Sequence, residues 1–362
     1  MKILAINPGS TSTKIAVFKG SQALFVETIH HDAAELACFD HVMDQEELRR
    51  KTIAQAMERH GQSVARLDAV IGRGGLMRPI PGGVYLVGPD MLRDLRSCAY
   101  GTHASNLGAI LAHDLASDVG IPVFIADPVV VDELSRLARY SGHPSIERRS
   151  IFHALNHKAV ARRVAENLGR AYEELRLIVA HLGGGVSVGA HELGRVVDVN
   201  NALDGDGPFS PERSGGLPAG DVVSWCFAPG ATERDVRSRI TGRGGFLAYL
   251  GTASGVEIEK RIRDNDEFAR EVRQAMAYQV AKEIGAMGAV LGGRVDAVIL
   301  TGGLVHDREL AQSITRRVDF LGPVVLHPGE DEMSALALAA LRALADSASI
   351  RAYPSHATAE TP

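Results

Sequence analysis

The sequence predicts an α/β protein built from two similar domains. Short apolar runs alternate with longer amphipathic stretches, a pattern typical of strands and helices that pack in layers. Thirty-eight glycines and a single tryptophan among 362 residues indicate many tight loops, as in an α/β enzyme. A chain of this length also exceeds what one ordinary core supports, so we expect two domains.

The individual elements follow from the period of the apolar residues. Strands are expected at 2–7, 13–19, 22–29, 67–72, 122–126, 176–182, 185–191, 194–199, 295–300 and 323–327. Helices are expected at 44–60, 104–118, 154–168, 266–291, 307–317 and 331–345. Residues 346–362 are rich in Ala, Ser and Pro, which predicts a loose tail.

Two segments of the chain resemble each other. Residues 2–18 read strand, Asn-Pro-Gly-Ser-Thr-Ser-Thr, strand, and residues 176–191 read strand, His-Leu-Gly-Gly-Gly-Val-Ser, strand. Glycine-containing hairpins are common, so coincidence is one explanation and duplication is the other. Duplication predicts an N-terminal domain over 1–150 and a C-terminal domain over 151–330.

Composition narrows the classes of function. A net charge of −5 argues against a nucleic-acid partner, which usually needs a basic face. No signal segment or uncharged run long enough for a bilayer occurs, so no membrane partner is expected. The three cysteines are far apart and odd in number, which excludes a disulfide framework and predicts a reducing, cytoplasmic setting.

A polar turn separates the first two strands. Gly9 lets the backbone approach an anion closely, and the neighbouring hydroxyl and amide groups can donate to phosphate oxygens. This is not a Walker A loop, because GxxxxGK[ST] occurs nowhere in the chain. An ordinary hairpin turn is the alternative. Ser10, Ser12 and Lys14 are the candidate nucleotide contacts here.

Two further glycine loops follow strands in the second half. Gly183, Gly184 and Gly185 form the first, and Gly302 with Gly303 forms the second. Ligands in open α/β sheets bind beyond the carboxyl ends of strands. Three such loops, divided between the two halves, predict a nucleotide in a cleft between the domains.

The motifs together resemble the acetate and butyrate kinase family, within the superfamily of sugar kinases, chaperone ATPases and actin. The resemblance covers nearly the whole chain in order. It is carried by Asn-Pro-Gly-Ser-Thr-Ser-Thr-Lys14, Gly72-Arg-Gly-Gly75, Asp127-Pro128, Phe152-His153, His181-Leu-Gly-Gly-Gly, Glu212-Arg-Ser-Gly215, Thr301-Gly-Gly and Pro328-Gly-Glu-Asp-Glu332. Several wordings, Gly-Arg-Gly-Gly-Leu among them, are closer to the butyrate-specific members than to acetate kinases.

The resemblance implies a fold and a reaction. The fold is a duplicated ribonuclease-H-like domain of the actin-like ATPase type, with helix 331–345 returning to the first domain. The reaction is butanoate plus ATP giving butanoyl phosphate plus ADP, by direct in-line transfer with Mg²⁺, in a homodimer or higher homo-oligomer. A kinase for propionate or a branched acid such as isobutyrate is the alternative, and a non-catalytic ATP switch is a more remote one.

A carboxylate acceptor needs positive charge more than it needs a base. It is already ionised at neutral pH, so the obstacle is the approach of one anion to another. Arg73 and Arg213 both lie in glycine- and serine-rich loops, where a guanidinium can grip planar anions with two donors. A lone loop arginine is otherwise a solvated surface charge. The resemblance implies that both hold the carboxylate and the phosphoryl oxygens.

Two histidines complete the expected phosphoryl site. His153 precedes a predicted helix, with His157 one turn later, but the helix lacks the glutamate of a zinc HExxH motif. A capping or core histidine is the alternative. The resemblance implies that His153 donates to the transferring phosphoryl group and that His181 contacts the nucleotide phosphates.

Magnesium needs oxygen ligands and keeps several waters, so one or two carboxylates suffice. Asp127 follows an apolar strand, and the acidic run 330–332 follows another. We expect Asp127 and one member of that run, Glu332 by preference, to meet the metal together with Asn7. Helix capping is the alternative for the run. Asn7 stands where related sugar kinases carry aspartate, and a neutral amide avoids repelling two incoming anions.

The acyl chain is expected to lie near Gly74 and Gly75. The missing side chains there could leave room for a longer acid than acetate. Discrimination should be modest, since one methylene in such a pocket is worth about 1–3 kcal/mol.

Overall fold

The computed structural model describes residues 1–354 and forms two compact units. The first unit comprises Met1–Val131 together with the described residues from Asp331 onward, and the second comprises Asp132–Glu330. The predicted tail falls partly on residues 355–362, which lie outside the described residues.

Strands and helices alternate along both units. The strands are β1 Lys2–Pro8, β2 Ser12–Lys19, β3 Gln22–His30, β4 Ala69–Arg73, β5 Val84–Leu86, β6 Val123–Ala126, β7 Arg176–Leu182, β8 Val186–Glu192, β9 Arg195–Val199, β10 Ala297–Gly302, β11 Val324–Pro328 and β12 Ile350–Arg351. The helices are α1 Ala33–Leu36, α2 Glu46–Arg59, α3 Pro89–Ser97, α4 Asn106–Ala116, α5 Ala154–Asn167, α6 Ala219–Cys226, α7 Glu233–Ile240, α8 Gly245–Leu250, α9 Gly255–Arg263, α10 Glu267–Val290, α11 Arg308–Val318 and α12 Glu332–Ala345.

All ten predicted strands and all six predicted helices are present, with ends shifted by a few residues. The sequence analysis missed the short elements, namely β5, β12, α1, α3 and the four helices of 219–263. Each of these is short or weakly periodic, so its burial is set by neighbours elsewhere in the chain.

The first unit contains a seven-stranded sheet in the order β12-β5-β6-β4-β1-β2-β3. Strands β1, β2 and β3 form an antiparallel meander, while β4 pairs parallel to β1 and β6 parallel to β4. β1, β4 and β6 are almost wholly buried and read as continuous apolar runs, as expected for strands covered on both faces.

The second unit repeats this arrangement in a five-stranded sheet, ordered β11-β10-β7-β8-β9. β7, β8 and β9 form the antiparallel meander, β10 pairs parallel to β7, and β11 pairs parallel to β10. In the first sheet the five strands β6-β4-β1-β2-β3, at one end of the order, have the same arrangement and directions. The duplication inferred from the two glycine hairpins is therefore confirmed at the level of topology.

A close approach of helix to strand positions the end of β4. A Cβ on Gly72 would stand 2.2 Å from the carbonyl oxygen of Gly108 in α4, and a Cβ on Gly108 would stand 2.2 Å from that of Arg73. Only glycine at both positions permits this contact. The pair presses α4 against β4 directly beside Arg73.

The second unit begins at Asp132. The sequence analysis placed its start later, at residue 151. The segment from Asp132 is tied into the second unit by buried contacts: Lys158 Nζ lies 2.9 Å from a Glu133 carboxylate oxygen, and the Ser135 amide donates to the Val197 carbonyl at 2.8 Å. The residues between lack regular periodicity, so the sequence offered no signal for an earlier boundary.

Residues 346–354 of the predicted loose tail are ordered. Strand β12 pairs parallel to β5, and the Tyr353 hydroxyl donates to Asp94 Oδ2 at 2.7 Å. Helix α12 packs on β1 and β4 in the same unit. The composition of the tail did not indicate this, because an edge strand of two residues is stabilised by its pairing with β5 and not by its own sequence.

Within residues 1–354, no helix combines the length and apolar character needed to cross a membrane.

Candidate active site

Three predicted residues stand side by side at the carboxyl ends of neighbouring strands in the first unit. Ile6 pairs with Gly72 and Arg73 pairs with Ala126, so Asn7, Arg73 and Asp127 end the adjacent strands β1, β4 and β6. The carboxyl edge of a parallel sheet is where ligands bind in open α/β folds. The parallel register brings together residues that are far apart in the sequence.

Glu332 joins two of these residues. Its Oε2 accepts from Asn7 Nδ2 at 2.6 Å and from Arg73 Nη1 at 2.9 Å, and Arg73 Nη1 also lies 3.3 Å from Asn7 Oδ1. The Arg73 and Glu332 side chains are only 24% and 16% exposed, so solvent weakens this ion pair less than it would at a surface. The first turn of α12 thus carries an acid to the ends of β1 and β4.

Asp127 has a strained backbone. Its φ is +39°, a region that non-glycine residues rarely adopt. Two hydrogen bonds with Gly83 hold it: Oδ1 accepts from the Gly83 amide at 2.7 Å, and the Asp127 amide donates to the Gly83 carbonyl at 3.0 Å. Strained backbone positions cluster at functional sites, so the strain at this buried carboxylate is consistent with a functional role.

The acidic run after β11 divides into three roles. Glu330 Oε1 lies 3.1 Å from His181 Nε2 in the second unit. Asp331 caps α12 by accepting from the Ser334 amide. Glu332 contacts Arg73, as described above. The capping alternative therefore applies to Asp331, while Glu332 is the acid of this run that meets Asn7.

The turn between β1 and β2 rests on a buried arginine that sequence reasoning missed. Arg49 of α2 is fully buried and donates to the carbonyls of Ser10 and Ser12 at 3.1 and 3.0 Å, and to Thr13 Oγ1 at 2.9 Å. Its other acceptor is the neutral amide of Gln45 at 2.8 Å. Burial lowers the pKa of Arg49 to about 10, so it remains charged at neutral pH.

A neutral histidine shares this support. His31 Nε2 lies 2.9 Å from Thr13 Oγ1, and burial, with Arg49 and His30 adding to it, lowers the pKa of His31 to about 4. Nothing in the pattern of α2 or of the residues after β3 marks Arg49 or His31, because both side chains contact a turn that is remote in sequence.

The three candidate nucleotide contacts of this turn differ in exposure. Lys14 lies opposite Asn7 in the β1–β2 pairing, and its side chain is exposed with no ion pair in the described part of the chain. Ser10 is exposed and Ser12 half-buried. The backbone carbonyls of both serines accept from Arg49.

In the second unit, three histidines assemble at the start of α5 and the end of β7. His153 is the N-cap of α5, and its ring stacks on that of His181 with centroids 3.8 Å apart. His153 Nδ1 and His157 Nε2 lie 2.8 and 2.9 Å from the same atom, Ser187 Oγ. Burial lowers the pKa of His157 well below its usual range, with His181 adding to this, so His157 is a neutral core residue.

Both nitrogens of the His181 ring have partners in the same unit. Nδ1 lies 2.9 Å from Asn156 Oδ1, and Nε2 lies 3.1 Å from Glu330 Oε1. A carboxylate only accepts, so Nε2 carries a proton in this contact. The sequence analysis predicted neither contact: Glu330 was considered only as a member of the acidic run that could meet magnesium, and the i, i+3 spacing of His153 and Asn156 on one helix face is the only signal for Asn156.

Arg213 lies against the glycine loop that follows β7. A Cβ on Gly185 would stand 2.1 Å from Arg213 Nη1 and 3.3 Å from His153 Cε1, so the missing side chain makes room for both. Arg213 Nη1 also donates to the Ala202 carbonyl, and burial lowers the pKa of Arg213. The structure therefore brings Arg213, His153 and Gly185 together. By contrast, a Cβ on Gly184 would meet nothing within 4 Å.

Ser210 couples the arginine loop to the glycine loop and was not expected from the sequence. Its buried hydroxyl donates to the Gly184 carbonyl at 2.7 Å and accepts from the Arg213 amide at 3.1 Å. This side chain thereby fixes the position of the arginine loop relative to the glycine loop.

The third glycine loop ends β10. Gly302 has a φ of +97°, and a Cβ there would stand 2.3 Å from the Leu182 carbonyl oxygen. Its amide and carbonyl pair with those of Gly329 at 3.2 and 3.0 Å. Gly303 is open, since a Cβ there meets nothing within 4 Å. Gly302 thus has a packing role, and Gly303 is the accessible member of the pair.

The expected acyl space at Gly74 and Gly75 is not there. A Cβ on Gly75 would stand 2.5 Å from Asn106, and one on Gly74 would stand 2.5 Å from Pro128. The chain itself fills the space beside both glycines, so their small size serves backbone packing and leaves no room for a longer acid.

The comparisons with known proteins define the family. The profile of the acetokinase family matches residues 139–329. Proteins of Listeria monocytogenes serotype 4a (strain HCC23) and Listeria innocua serovar 6a, each named "Probable butyrate kinase", are 52% identical over 343 residues, which cover 95% of this chain and 97% of theirs. The chain belongs to the acetokinase family. It is accordingly an enzyme, a carboxylate kinase.

Solved structures agree on the fold. Porphyromonas gingivalis acetate kinase covers 95% of this chain and 99% of its own, with a TM-score of 0.79 and 20% identity. A propionate kinase from Francisella tularensis covers 92% of this chain and 98% of its own, with a TM-score of 0.71 and 18% identity. The predicted actin-like ATPase fold of two duplicated α/β units is confirmed.

Proposed function

We propose that this kinase transfers the γ-phosphoryl group of ATP to butanoate, giving butanoyl phosphate and ADP. The observation that carries the choice of acid is the 52% identity, over 95% of the chain, to proteins named as probable butyrate kinases. The solved acetate and propionate kinases are no more than 20% identical and bear on the fold alone.

The acceptor itself explains why the candidate residues are cations and neutral donors. A carboxylate is ionised at neutral pH and gives up no proton, so the reaction needs charge stabilisation and alignment in place of a general base. Arg73 is half-buried and uses Nη1 for Glu332 and Asn7, and within residues 1–354 its Nε and Nη2 make no hydrogen bond. The remaining donors suit a bidentate grip on the acid.

The residues of the second unit suit the transferring phosphoryl group. Arg213 stays charged although burial lowers its pKa, and His153 lies beside it across Gly185. We assign Arg213 and His153 to the oxygens that gain charge during in-line transfer, where fixed donors act most strongly. His181 and the amides of the 183–185 loop are assigned to the phosphates of ATP, with Gly303 as a further close approach.

Side-chain oxygens that could bind magnesium are present, but they do not form a cluster of three or more metal-binding side chains in the described residues. No group of three or more His, Cys, Asp or Glu side chains within residues 1–354 is arranged to hold a metal. The two carboxylates, Asp127 and Glu332, together with the amide of Asn7, fit Mg²⁺ because it keeps several waters and takes further oxygens from phosphates. Bound with ATP, the ion would neutralise charge on the transferring group.

A panel of acids tests the acyl preference. Initial rates of hydroxamate formation with ATP and Mg²⁺ are compared for acetate, propionate, butanoate and isobutyrate. We expect the highest kcat/KM for butanoate, with about tenfold between acids that differ by one methylene. A higher value for propionate or isobutyrate would replace butanoate by that acid and leave the carboxylate kinase assignment intact.

Arg213→Ala separates catalysis from simple nucleotide binding. We expect kcat to fall about 10²- to 10³-fold, as for the loss of one preorganised donor, while the ADP Kd changes much less. Arg243→Ala is the matched control, because this exposed arginine of the same region contacts Ser238 and Asp235. Equal rates for both variants would contradict the assignment of Arg213.

The assembly is proposed to be a homodimer or higher homo-oligomer. Several large apolar side chains are exposed in the second unit, including Phe227, Val256 and Phe320, as is common at subunit contacts. Sedimentation velocity of the full chain would show one species above the 38.6 kDa monomer.

The compartment is proposed to be the cytoplasm, where ATP is available. The cysteines Cys38, Cys98 and Cys226 are all unpaired, as expected where thiols stay reduced. Fractionation of the source cells, followed by the kinase assay, tests this assignment.

A further inference from the structure

A chain of hydrogen bonds runs from the core of the second unit to His153. Tyr172 Oη lies 2.7 Å from His191 Nδ1, and His191 Nε2 lies 3.2 Å from His157 Nδ1. His157 Nε2 then reaches Ser187 Oγ at 2.9 Å, and Ser187 Oγ reaches His153 Nδ1 at 2.8 Å. Every member before His153 is at least 97% buried.

The elements are built to hold this chain. Ser187, Gly189 and His191 alternate along β8 and so share one face of the sheet. A Cβ on Gly189 would stand 3.3 Å from His157 Nδ1, so a glycine between the two polar residues leaves space for the His157 ring. His157 and His153 are one turn apart on α5. A tyrosine, two histidines and a serine inside an apolar core are costly unless each is satisfied, as they are here.

The order of the protons in this chain is strongly constrained. Burial lowers the pKa of both His157 and His191 well below its usual range, so each ring is neutral and carries one proton. Each ring therefore donates once and accepts once. Ser187 Oγ has these two ring nitrogens as its side-chain partners, so it donates to one and accepts from the other. Two arrangements of the protons satisfy these conditions, and they differ in the direction of every hydrogen bond in the chain.

The tyrosine selects one of the two orders. A phenol O–H is more acidic than the N–H of a neutral imidazole, so the bond in which Tyr172 donates to His191 is favoured. Lys158 Nζ and Arg162 Cζ lie 5.8 and 5.7 Å from the centre of the Tyr172 ring, and their charge displaces protons away from this end. Glu133, 2.9 Å from Lys158, offsets part of that charge.

We propose that Tyr172, His191, His157 and Ser187 form a positioning chain that keeps Nδ1 of the His153 ring an acceptor and so leaves the ring proton on Nε2. Tyr172 donates to His191, His191 to His157, His157 to Ser187, and Ser187 to His153 Nδ1. Because Nδ1 accepts in this order, the ring nitrogen of His153 that carries a proton is Nε2. The reverse order places it on Nδ1 and leaves Nε2 unable to donate.

This inference rests on the proposed role of His153 as a donor to the phosphoryl oxygens. Because a carboxylate acceptor releases no proton, the reaction has none for the chain to carry. The chain therefore orients a donor, and it is not a relay. Its members are positioning residues that act through His153 without touching a substrate.

Tyr172→Phe tests the chain in the full-length enzyme. With ¹⁵N-labelled histidine, long-range ¹H–¹⁵N correlation spectra distinguish the two tautomers, and a His153→Gln variant identifies the His153 signals. We expect Nε2–H in the wild type and a mixture with Nδ1–H in Tyr172→Phe. The kcat should fall about tenfold, the value of roughly one hydrogen bond, with the KM for butanoate within about twofold.

Tyr353→Phe is the control, since it removes a phenol hydroxyl that is hydrogen-bonded to Asp94 in the first unit, away from this chain. Its His153 signals and kcat should match the wild type. An Nδ1–H tautomer in wild-type His153, or an unchanged tautomer in Tyr172→Phe, would overturn the proposal.

Ser187→Ala supplies a second test if one variant folds poorly. It breaks the chain next to His153, so Tyr172→Phe should cause no further loss of kcat in that background. Additive losses would mean that Tyr172 acts by another route and would overturn the chain. If the tautomer is as expected but His153→Gln retains full kcat, the proposed role of His153 fails while the chain stands.

Discussion

The two glycine hairpins of this kinase share a topology but differ in what supports them. In the first unit, the turn between β1 and β2 rests on Arg49, a buried cation whose acceptors are carbonyls, a hydroxyl and a neutral amide. In the second unit, the loop between β7 and β8 is followed by Ser187, which contacts His157, and His157 in turn contacts His191; burial keeps both histidines neutral. One support is charged, whereas the other is polar and uncharged.

The difference shows how a duplicated scaffold acquires two chemical roles. A fixed positive charge beneath a turn attracts an anion without contacting it. A neutral chain adds no charge but decides which ring nitrogen donates. The backbone can therefore be repeated while its buried polar residues diverge, since strand order depends on apolar patterning and the supports depend on a few side chains.

The largest expected effect is at Gly185. Gly185→Ala places a Cβ where Arg213 Nη1 now lies and should displace that side chain, lowering kcat about 10²-fold or more. Gly184→Ala, one residue earlier, meets nothing within 4 Å and should cost less than about threefold. Steady-state kinetics on both variants checks this. Similar losses would mean that the loop backbone, and not the space at Gly185, is what matters.

The next largest effect is expected at Arg49, which supports the hairpin turn of the first unit. Arg49→Met removes the buried guanidinium that donates to the Ser10 and Ser12 carbonyls and to Thr13 Oγ1, and should lower the free energy of unfolding by about 3 kcal/mol. The KM for ATP should rise as well, because the turn loses its support. Urea titration and kinetics are the measurements, with Arg50→Met on the exposed face of α2 as control. Unchanged stability would show the buried charge to be dispensable.

The pH dependence of stability tests His31, the histidine that shares the support of the first unit. The pKa of His31 is about 4 in the folded chain and about 6.5 unfolded, so the unfolded state binds more protons between these values. Stability is therefore full above pH 6.5 and is lost as the pH falls toward 4. We expect His31 to account for a loss of about 2 kcal/mol between pH 7 and pH 5.

Urea unfolding at the two pH values measures this contribution. His31→Gln should reduce the loss between pH 7 and pH 5, whereas the exposed His143→Gln should leave it unchanged. An equal pH dependence in all three proteins would remove His31 from the explanation.

The smallest effect is expected at Lys14. An exposed lysine that meets phosphate in solvent contributes about 0.5–1 kcal/mol, so Lys14→Ala should raise the KM for ATP about threefold, and less at high salt. Lys19→Ala at the other end of β2 is the control. A KM equal to that of the control would remove Lys14 from the nucleotide site.

Much of the architecture could be predicted because it depends on the local spacing of apolar and polar residues. The long strands and helices have clear periods, and the two hairpins revealed the duplication. The candidate residues Asn7, Arg73 and Asp127 were found at strand ends because polar residues after apolar runs stand out. The supports Arg49, Tyr172 and Ser210 could not be found in this way, since a buried polar residue looks the same in sequence whether or not it has a partner.

The sequence by itself determined the fold class, the family and the residue types that a carboxylate kinase needs. Only the tertiary structure decided which atoms meet. Glu332 reaches Arg73 across 259 residues, and the acyl space expected at Gly74 and Gly75 is filled by Pro128 and Asn106. The reason is physical: apolar periodicity specifies elements locally, whereas hydrogen-bond partners and free volume depend on how distant elements pack.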